Sequence, residues 1–234
     1  YYVANIMAVV DSPEGRKIIQ DSIKLHYGPD GKPDGFMVTV YDDPLHPDAK
    51  ASRTVFVDDV YGNGVTGPDG KPNYASILES AYGQQHPGGA LGSGKDNGIS
   101  GGWPNEAAQD LTNNPATDVS GQAGYSSNER KEIINAANSS NPVTAETETA
   151  PPENFPNDDK AEVGVTLPSG EKTNIELYHG HAYMVVGADQ NGVTLANPHG
   201  HNNDQTGREV DETFTMSWED YEKYYGSTTI GSVK

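Results

Sequence analysis

Two short stretches late in the chain carry a histidine and an asparagine that could cooperate in proton transfer. The first is Gly180-His181-Ala182-Tyr183, and the second, Asn197-Pro198-His199-Gly200, places Asn197 16 residues after His181. An imidazole titrates near neutral pH, so it can take a proton from a nucleophile and return it to a leaving group. An amide side chain beside it can hold the ring in one tautomer and orientation. The pair therefore predicts a general base and its orienting partner.

The residues between these stretches have the pattern of a β-hairpin, because Asn191-Gly192 separates two apolar runs. A two-residue turn there would set Asn197 opposite Val186, five residues along the strand from His181. At about 3.3 Å per residue, that offset is roughly 16 Å. We therefore expect a wider turn, or a bend after Asn197, if the two side chains are to meet.

The composition restricts the classes of partner. Lys and Arg number 15 against 34 Asp and Glu, a formal charge of −19, which repels phosphate backbones and anionic membranes, so we expect no nucleic-acid partner. The apolar run 3–10 is far shorter than the ~20 residues of a membrane-spanning helix.

The chain has no cysteine, hence no disulfide or thiolate, and the redox compartment stays open. It starts at Tyr1-Tyr2 with no initiator Met or signal-peptide pattern, so we expect an internal piece of a longer protein.

Helices and strands that could position the two stretches are predicted from periodicity and turn residues. An apolar helix is expected over 1–10, a second helix from a Ser12 cap and Pro13 to about Leu25, and further helices over 73–82, 105–111 and 127–137. Strands are expected at 36–41 and 54–57. Two copies of Gly-Pro-Asp-Gly-Lys-Pro, at 28–33 and 67–72, predict tight turns. The segment 138–159 should include an exposed loop.

The His and Asn stretches resemble the GHAY and NPWG motifs of calpain-type cysteine peptidases, which are papain-like. Further similarities run in the same order along nearly the whole chain. Tyr1–Ala8 is similar to the helix that follows the catalytic cysteine, and Val57-Asp58-Asp59 is similar to a VDD strand end. Ile77–Tyr82 is similar to an LEKAY helix, and Met216–Tyr221 is similar to an MSFEDF helix. A GG and EDLTG stretch of the family is matched by Gly101-Gly102, Glu106 and Asp110–Thr112. His199 stands where the family has Trp.

The resemblance implies an α+β, papain-like two-lobe fold. A helical first lobe would span 1–102 and an antiparallel β second lobe 103–234, with the cleft between them. The implied activity is a thiol endopeptidase acting on a protein or peptide. A toxin or effector domain, secreted or delivered, is one context that suits this activity.

The resemblance also implies the roles of individual residues. The catalytic Cys would stand immediately before Tyr1, in an upstream segment that also supplies the oxyanion-hole Gln, so the 234 residues alone should be inert. His181 would act as general base and then acid, and Asn197 as its orienter. Gly180 and the pair Gly101-Gly102 would contact substrate, although the pair equally suits a flexible joint.

Three other functions stay open at the level of the sequence. One is a non-catalytic, peptidase-like binding module, and a second is a related thiol acyltransferase or deamidase. The third is a metal site built from His179, His181, His199 and His201 with Asp204, because alternate residues of a strand share a face. The peptidase chemistry requires no cofactor or metal. Calcium stays open from the resemblance and the acidity, although neither copy of the repeated turn has the ligand spacing of an EF-hand.

Overall fold

The protein folds into helices and antiparallel strands. Its structure, a computed structural model, describes residues 1–41, 52–60, 66–85, 103–157 and 159–234. The helices are α1 (Tyr2–Val10), α2 (Pro13–Ser22), α3 (Tyr74–Gln85), α4 (Pro104–Thr112), α5 (Ser127–Ala137) and α6 (Trp218–Tyr224), with a 3₁₀ turn at Pro152–Asn154. The strands are β1 (Ile23–Tyr27), β2 (Pro33–Val40), β3 (Arg53–Val57), β4 (Thr117–Ser120), β5 (Val143–Glu146), β6 (Lys160–Thr166), β7 (Lys172–Tyr178), β8 (Ala182–Ala188), β9 (Gly192–Ala196), β10 (Asn202–Asn203), β11 (Glu209–Val210), β12 (Thr213–Ser217) and β13 (Ser227–Ile230). This mixture confirms the α+β class.

Helix α1 is buried on two sides, as its apolar sequence predicts. Tyr2, Ile6 and Val9 enter a core that they share with α3 and α4. Ala8 instead packs against the large sheet, where it contacts Met184. Val3, Met7 and Val10 are half-buried, and the rest of the helix is buried between these two partners, so α1 joins the two halves of the fold.

Helix α2 begins as predicted and ends earlier than predicted. The Ser12 hydroxyl oxygen accepts a hydrogen bond from the Gly15 amide at 3.0 Å, and Pro13 occupies the first helical position. The predicted end near Leu25 is wrong, because the helix stops at Ser22 and the chain continues as β1. The strand β1 pairs with β2, and cross-strand pairing overrides the local helical pattern there.

A small antiparallel sheet accompanies the helices in the first half of the chain, so within the described residues that half is not purely helical. Its strand order is β1-β2-β3. The repeated hexapeptide forms a tight turn in both copies, as predicted. Gly31 and Gly70 adopt left-handed φ angles of 76° and 72°, and each donates its amide to the carbonyl three residues earlier at 2.9 Å.

The larger sheet forms the second half of the described chain. Its strand order is β4-β13-β5-β8-β9-β12-β6-β7, and every pairing in it is antiparallel. The central strand β5 lies inside the segment 138–159. The exposed loop predicted for that segment is confirmed at Pro151–Glu153. The buried strand β5, which precedes the loop, was not predicted.

The two halves have separate apolar cores. The second core collects side chains from the large sheet, α5 and α6, with Tyr183, Phe214, Tyr221 and Tyr225 among its largest fully buried members. Helix α4 follows residue 102, yet its Ala107 and Leu111 belong to the first core. The expected division at residue 102 stays a prediction. No described helix has the length and apolar character needed to cross a bilayer.

Replacing Gly192 by Ala should destabilise the fold, because a Cβ at that position would lie 2.0 Å from the Met216 carbonyl oxygen of β12. We expect the free energy of unfolding to fall by about 3 kcal/mol, measured by urea denaturation. Gly164→Ala is the matched control, since its Cβ would meet only the Asn174 amide oxygen at 3.6 Å. Equal stability of the two variants would contradict the close packing of β9 on β12.

Candidate functional site

The hairpin of β8 and β9 brings the two predicted motifs together through a wide turn and a β-bulge. The Asp189 amide donates to the Gly192 carbonyl at 3.0 Å, and Ala188 pairs with Val193. The register then shifts at the bulge, so that Met184 pairs with Ala196. Continuing this register sets Asn197 two residues from His181 along the strand, instead of five. The expectation of a wider turn is confirmed, and the bulge shortens the offset further.

His181 and Asn197 form a direct hydrogen bond. The distance from His181 Nε2 to Asn197 Oδ1 is 3.1 Å, and Asn197 is only 2% exposed. An amide oxygen can only accept, so Nε2 carries the proton and Nδ1 keeps its lone pair. Within the described part of the chain, Nδ1 makes no hydrogen bond. This geometry holds a neutral imidazole with one basic nitrogen available.

A second asparagine, Asn202, fixes the orientation of the Asn197 amide. Asn197 Nδ2 donates to Asn202 Oδ1 at 3.1 Å, and Asn202 Nδ2 donates to the carbonyls of Asp211 and Glu212 at 2.7 and 3.0 Å. The His199 backbone amide also donates to Asn197 Oδ1, at 3.1 Å. If the Asn197 amide were flipped, its Nδ2–H would face the Nε2–H of His181 and the backbone N–H of His199, which are also donors. Sequence reasoning missed Asn202, because no local pattern distinguishes it from a loop asparagine.

Thr147 anchors the backbone of His181 from the neighbouring chain segment after β5. Its hydroxyl accepts from the His181 amide at 3.0 Å and donates to the Tyr178 carbonyl at 2.6 Å. Its own amide donates to the His181 carbonyl at 2.9 Å. Gly180 turns the chain into this position with φ of 70°, a left-handed value that favours glycine. That requirement accounts for the residue type, and a substrate contact at Gly180 stays a prediction.

Two rings pack against the His181 imidazole. Tyr183 meets it edge-on with ring centroids 4.7 Å apart, and His199 lies tilted over it at 4.6 Å. His199 therefore covers one face of the His181 ring. Burial lowers the pKa of His181 to about 4, and the charges of His199 and the Tyr1 amino group act in the same direction. The hydrogen bond that Nε2 donates to Asn197 opposes this shift. The imidazole is thus neutral in the folded chain at physiological pH.

The N-terminal end of α1 lies beside this imidazole. The charge of the Tyr1 amino group acts on both His181 and His199. Burial lowers the pKa of that amino group, and the carboxylates of Glu146 and Glu79 oppose the shift. Unpaired amides at a helix N-terminus carry partial positive charge, so an anion is favoured at this point.

His181 and His199 pack against each other, whereas the other two clustered histidines contact different residues. The His179 ring packs on Phe155, and its Nε2 lies 3.3 Å from the Ala150 carbonyl. His201 lies 4.0 Å from Glu209. Across the described ranges, no group of three or more His, Asp or Glu side chains could hold a metal ion. Gly101 and Gly102, the other predicted substrate contacts, lie outside the described residues.

Comparison with known proteins adds no family. No protein-family model matches the chain, and no curated protein matches it. The functional argument therefore depends on the residues and geometry described above.

The His181 ring should stay neutral down to about pH 4 in the folded chain, compared with its ordinary pKa of 6.5. Nitrogen chemical shifts of the imidazole, followed by NMR during titration, measure this directly and should identify Nε2 as the protonated nitrogen. The unfolded chain binds this proton first, so the His181 contribution lowers the folding stability as the pH falls from about 6.5 to about 4. Titration near pH 6.5 would contradict the buried, hydrogen-bonded ring.

Proposed function

We propose that this chain forms most of a papain-like thiol peptidase of the calpain type, with His181 as its proton-transfer residue. The observation that carries the proposal is the bond from His181 Nε2 to Asn197 Oδ1, which leaves Nδ1 basic beside the start of a buried helix. The motif resemblance and the α1 helix between two cores support the same assignment. The substrate is a protein or peptide whose extended chain lies along the cleft.

The nucleophile in this proposal is a cysteine immediately before Tyr1. At that position its sulfur would sit at the N-terminus of α1, where the helix dipole favours a thiolate. His181 Nδ1 takes the thiol proton, and the sulfur attacks the substrate carbonyl carbon. The tetrahedral intermediate collapses as the imidazolium returns the proton to the leaving amine, which forms an acyl-enzyme thioester. Water then attacks the thioester with Nδ1 again accepting the proton, and the carboxylic acid leaves as the thiol reforms.

The charge balance of the site changes when a thiolate is present. Burial disfavours the charged imidazole of the described chain. A thiolate within a few ångströms would stabilise the imidazolium and raise the pKa of His181, and the imidazolium would in turn lower the pKa of the thiol. Asn197 accepts from Nε2–H in both charge states of the ring, so it can hold the ring throughout the cycle. The same chemistry serves transfer to other acceptors, so a thiol acyltransferase or deamidase shares these residues.

Extending the chain by its natural upstream residues should produce a reactive thiol if Cys precedes Tyr1. We expect stoichiometric labelling by iodoacetamide near neutral pH, with a rate that depends on His181. His181→Ala should slow peptide cleavage by about 10²- to 10⁴-fold, the contribution of a general base. Peptide mass mapping locates the label, and a fluorogenic peptide assay measures cleavage.

His26→Ala is the matched control, because His26 lies on β1 and pairs with Asp34, away from His181. That variant should label and cleave like the unmodified chain. A natural residue other than Cys before Tyr1 would overturn the enzyme proposal and favour a non-catalytic binding module. Equal labelling of the extended chain and its His181→Ala variant would also count against it.

The hydrogen bond to Asn202 should matter for catalysis through Asn197. Asn202→Ala removes the acceptor for Asn197 Nδ2 and leaves the His199 amide to hold Asn197 from the Oδ1 side, so the acceptor for His181 Nε2 is held less rigidly. We expect kcat in the peptide assay to fall about tenfold with a smaller change in KM, since orientation of the base is lost. A circular dichroism melt separates this effect from unfolding, and an unchanged kcat in a folded variant would contradict it.

A further inference from the structure

Glu146 is a buried carboxylate without a hydrogen-bond partner, next to the proposed catalytic centre. The residue is 6% exposed, and within the described residues its carboxylate makes no hydrogen bond, while the carboxylate oxygens stay open to solvent. A largely buried carboxylate is poorly hydrated, so a donor that reaches it is favoured. Neither the proposed cysteine chemistry nor the anchoring of His181 uses this side chain.

The position of Glu146 directs it toward the face of the sheet that packs on α1. Glu146 ends β5 and pairs with Ala182, the residue after His181. Paired residues of antiparallel strands point to the same face, and on β8 that face carries Met184, which contacts Ala8 of α1. The interaction of Glu146 with the Tyr1 amino group places the carboxylate near the N-terminal end of α1. Glu146 and the proposed nucleophile thus share one side of the sheet.

The charges around Glu146 are mostly negative. Asp118 of β4 and Glu148, two residues further along the chain, both act on it. Burial, then these two carboxylates, raise the pKa of Glu146 to about 7. Among the described residues, the positive group that acts on it is the Tyr1 amino group. In the proposed enzyme that nitrogen would belong to a peptide bond with the upstream cysteine, so the positive charge would be gone.

We propose that Glu146 is a specificity-determining residue that binds the cationic side chain of a Lys or Arg in the peptide substrate, close to the scissile bond. This inference rests on the proposed function, since it assigns the side of the sheet beside His181 to the substrate. A cationic side chain would replace the lost amino charge and supply the hydrogen-bond donors that the carboxylate lacks. Pairing with a largely buried carboxylate is stronger and more selective than pairing at the open surface.

Binding of peptides to the extended chain tests this assignment without requiring turnover. The chain carries its natural upstream residues and His181→Ala, so that bound peptides stay intact. The probes are acetylated, amidated eight-residue peptides in which a single Lys moves through an otherwise neutral sequence, each matched to a norleucine peptide. Calorimetry should show at least about tenfold tighter binding of the Lys peptide at one position.

Adding Glu146→Gln to that chain should reduce the Lys-to-norleucine affinity ratio to about twofold or less, whereas Glu146→Asp should retain a clear preference. Glu162→Gln is the control for net charge, because Glu162 is an exposed carboxylate on β6, and it should keep the full ratio. Should Glu146→Gln fail to fold, Glu146→Asp takes its place: its shorter side chain should reduce the Lys-to-norleucine ratio below that of Glu162→Gln, and an unreduced ratio would overturn the role of Glu146.

The outcomes separate the two proposals. Suppose that the Lys preference depends on Glu146, but that the extended chain with His181 intact cleaves no peptide. That result would support Glu146 as the group that binds a cationic side chain and would overturn the peptidase proposal. Cleavage by the extended chain with no Lys or Arg preference at any position would overturn the role of Glu146 alone. A preference unchanged in Glu146→Gln would overturn it as well.

Discussion

The burial of α1 on two sides is the constraint on which the rest of the structure depends. Tyr2 stacks on Tyr82 with ring centroids 4.1 Å apart, and its hydroxyl donates to the Asp110 carboxylate at 3.0 Å. On the other side, Ala8 packs against the large sheet. Each fully buried large apolar side chain contributes roughly 1.5–3 kcal/mol, so these contacts hold the helix firmly. The direction of α1 is thereby set, and its N-terminus is held beside His181.

The hairpin of β8 and β9 supplies the second half of the site through small departures from regular pairing. A regular two-residue turn would have kept His181 and Asn197 apart. The wide turn and the bulge bring them within hydrogen-bonding distance, and Asn202 and Thr147 then hold the two residues from separate segments. Since a bulge shifts the register by one residue, it selects which side chains meet at the strand ends. The distance between His181 and Asn197 thus depends on strand pairing in the sheet as well as on the two motifs.

Sequence patterns predicted the elements that have strong local signals. The Ser12 cap, the repeated Gly-Pro-Asp-Gly-Lys-Pro turns and the α3 helix are specified by residues a few positions apart. The end of α2 and the strand β5 are determined by distant pairing partners, which no local window contains. In the site, His181 and Asn197 were found from their motifs. Glu146, Thr147 and Asn202 were not, because their roles arise from neighbours distant in the chain or from burial.

The packing of α1 has a consequence for how such a protein could change over generations. The contacts of the first core already include Tyr1, and the cysteine that we propose before it would supply the reactive atom. In the proposed enzyme, folding and reactivity would therefore depend on different residues. A single substitution at the nucleophile would silence the chemistry and leave the cleft in place, ready to bind the same peptides. Descendants of one ancestral gene could thus diverge into enzymes and non-catalytic binding proteins that keep the same fold.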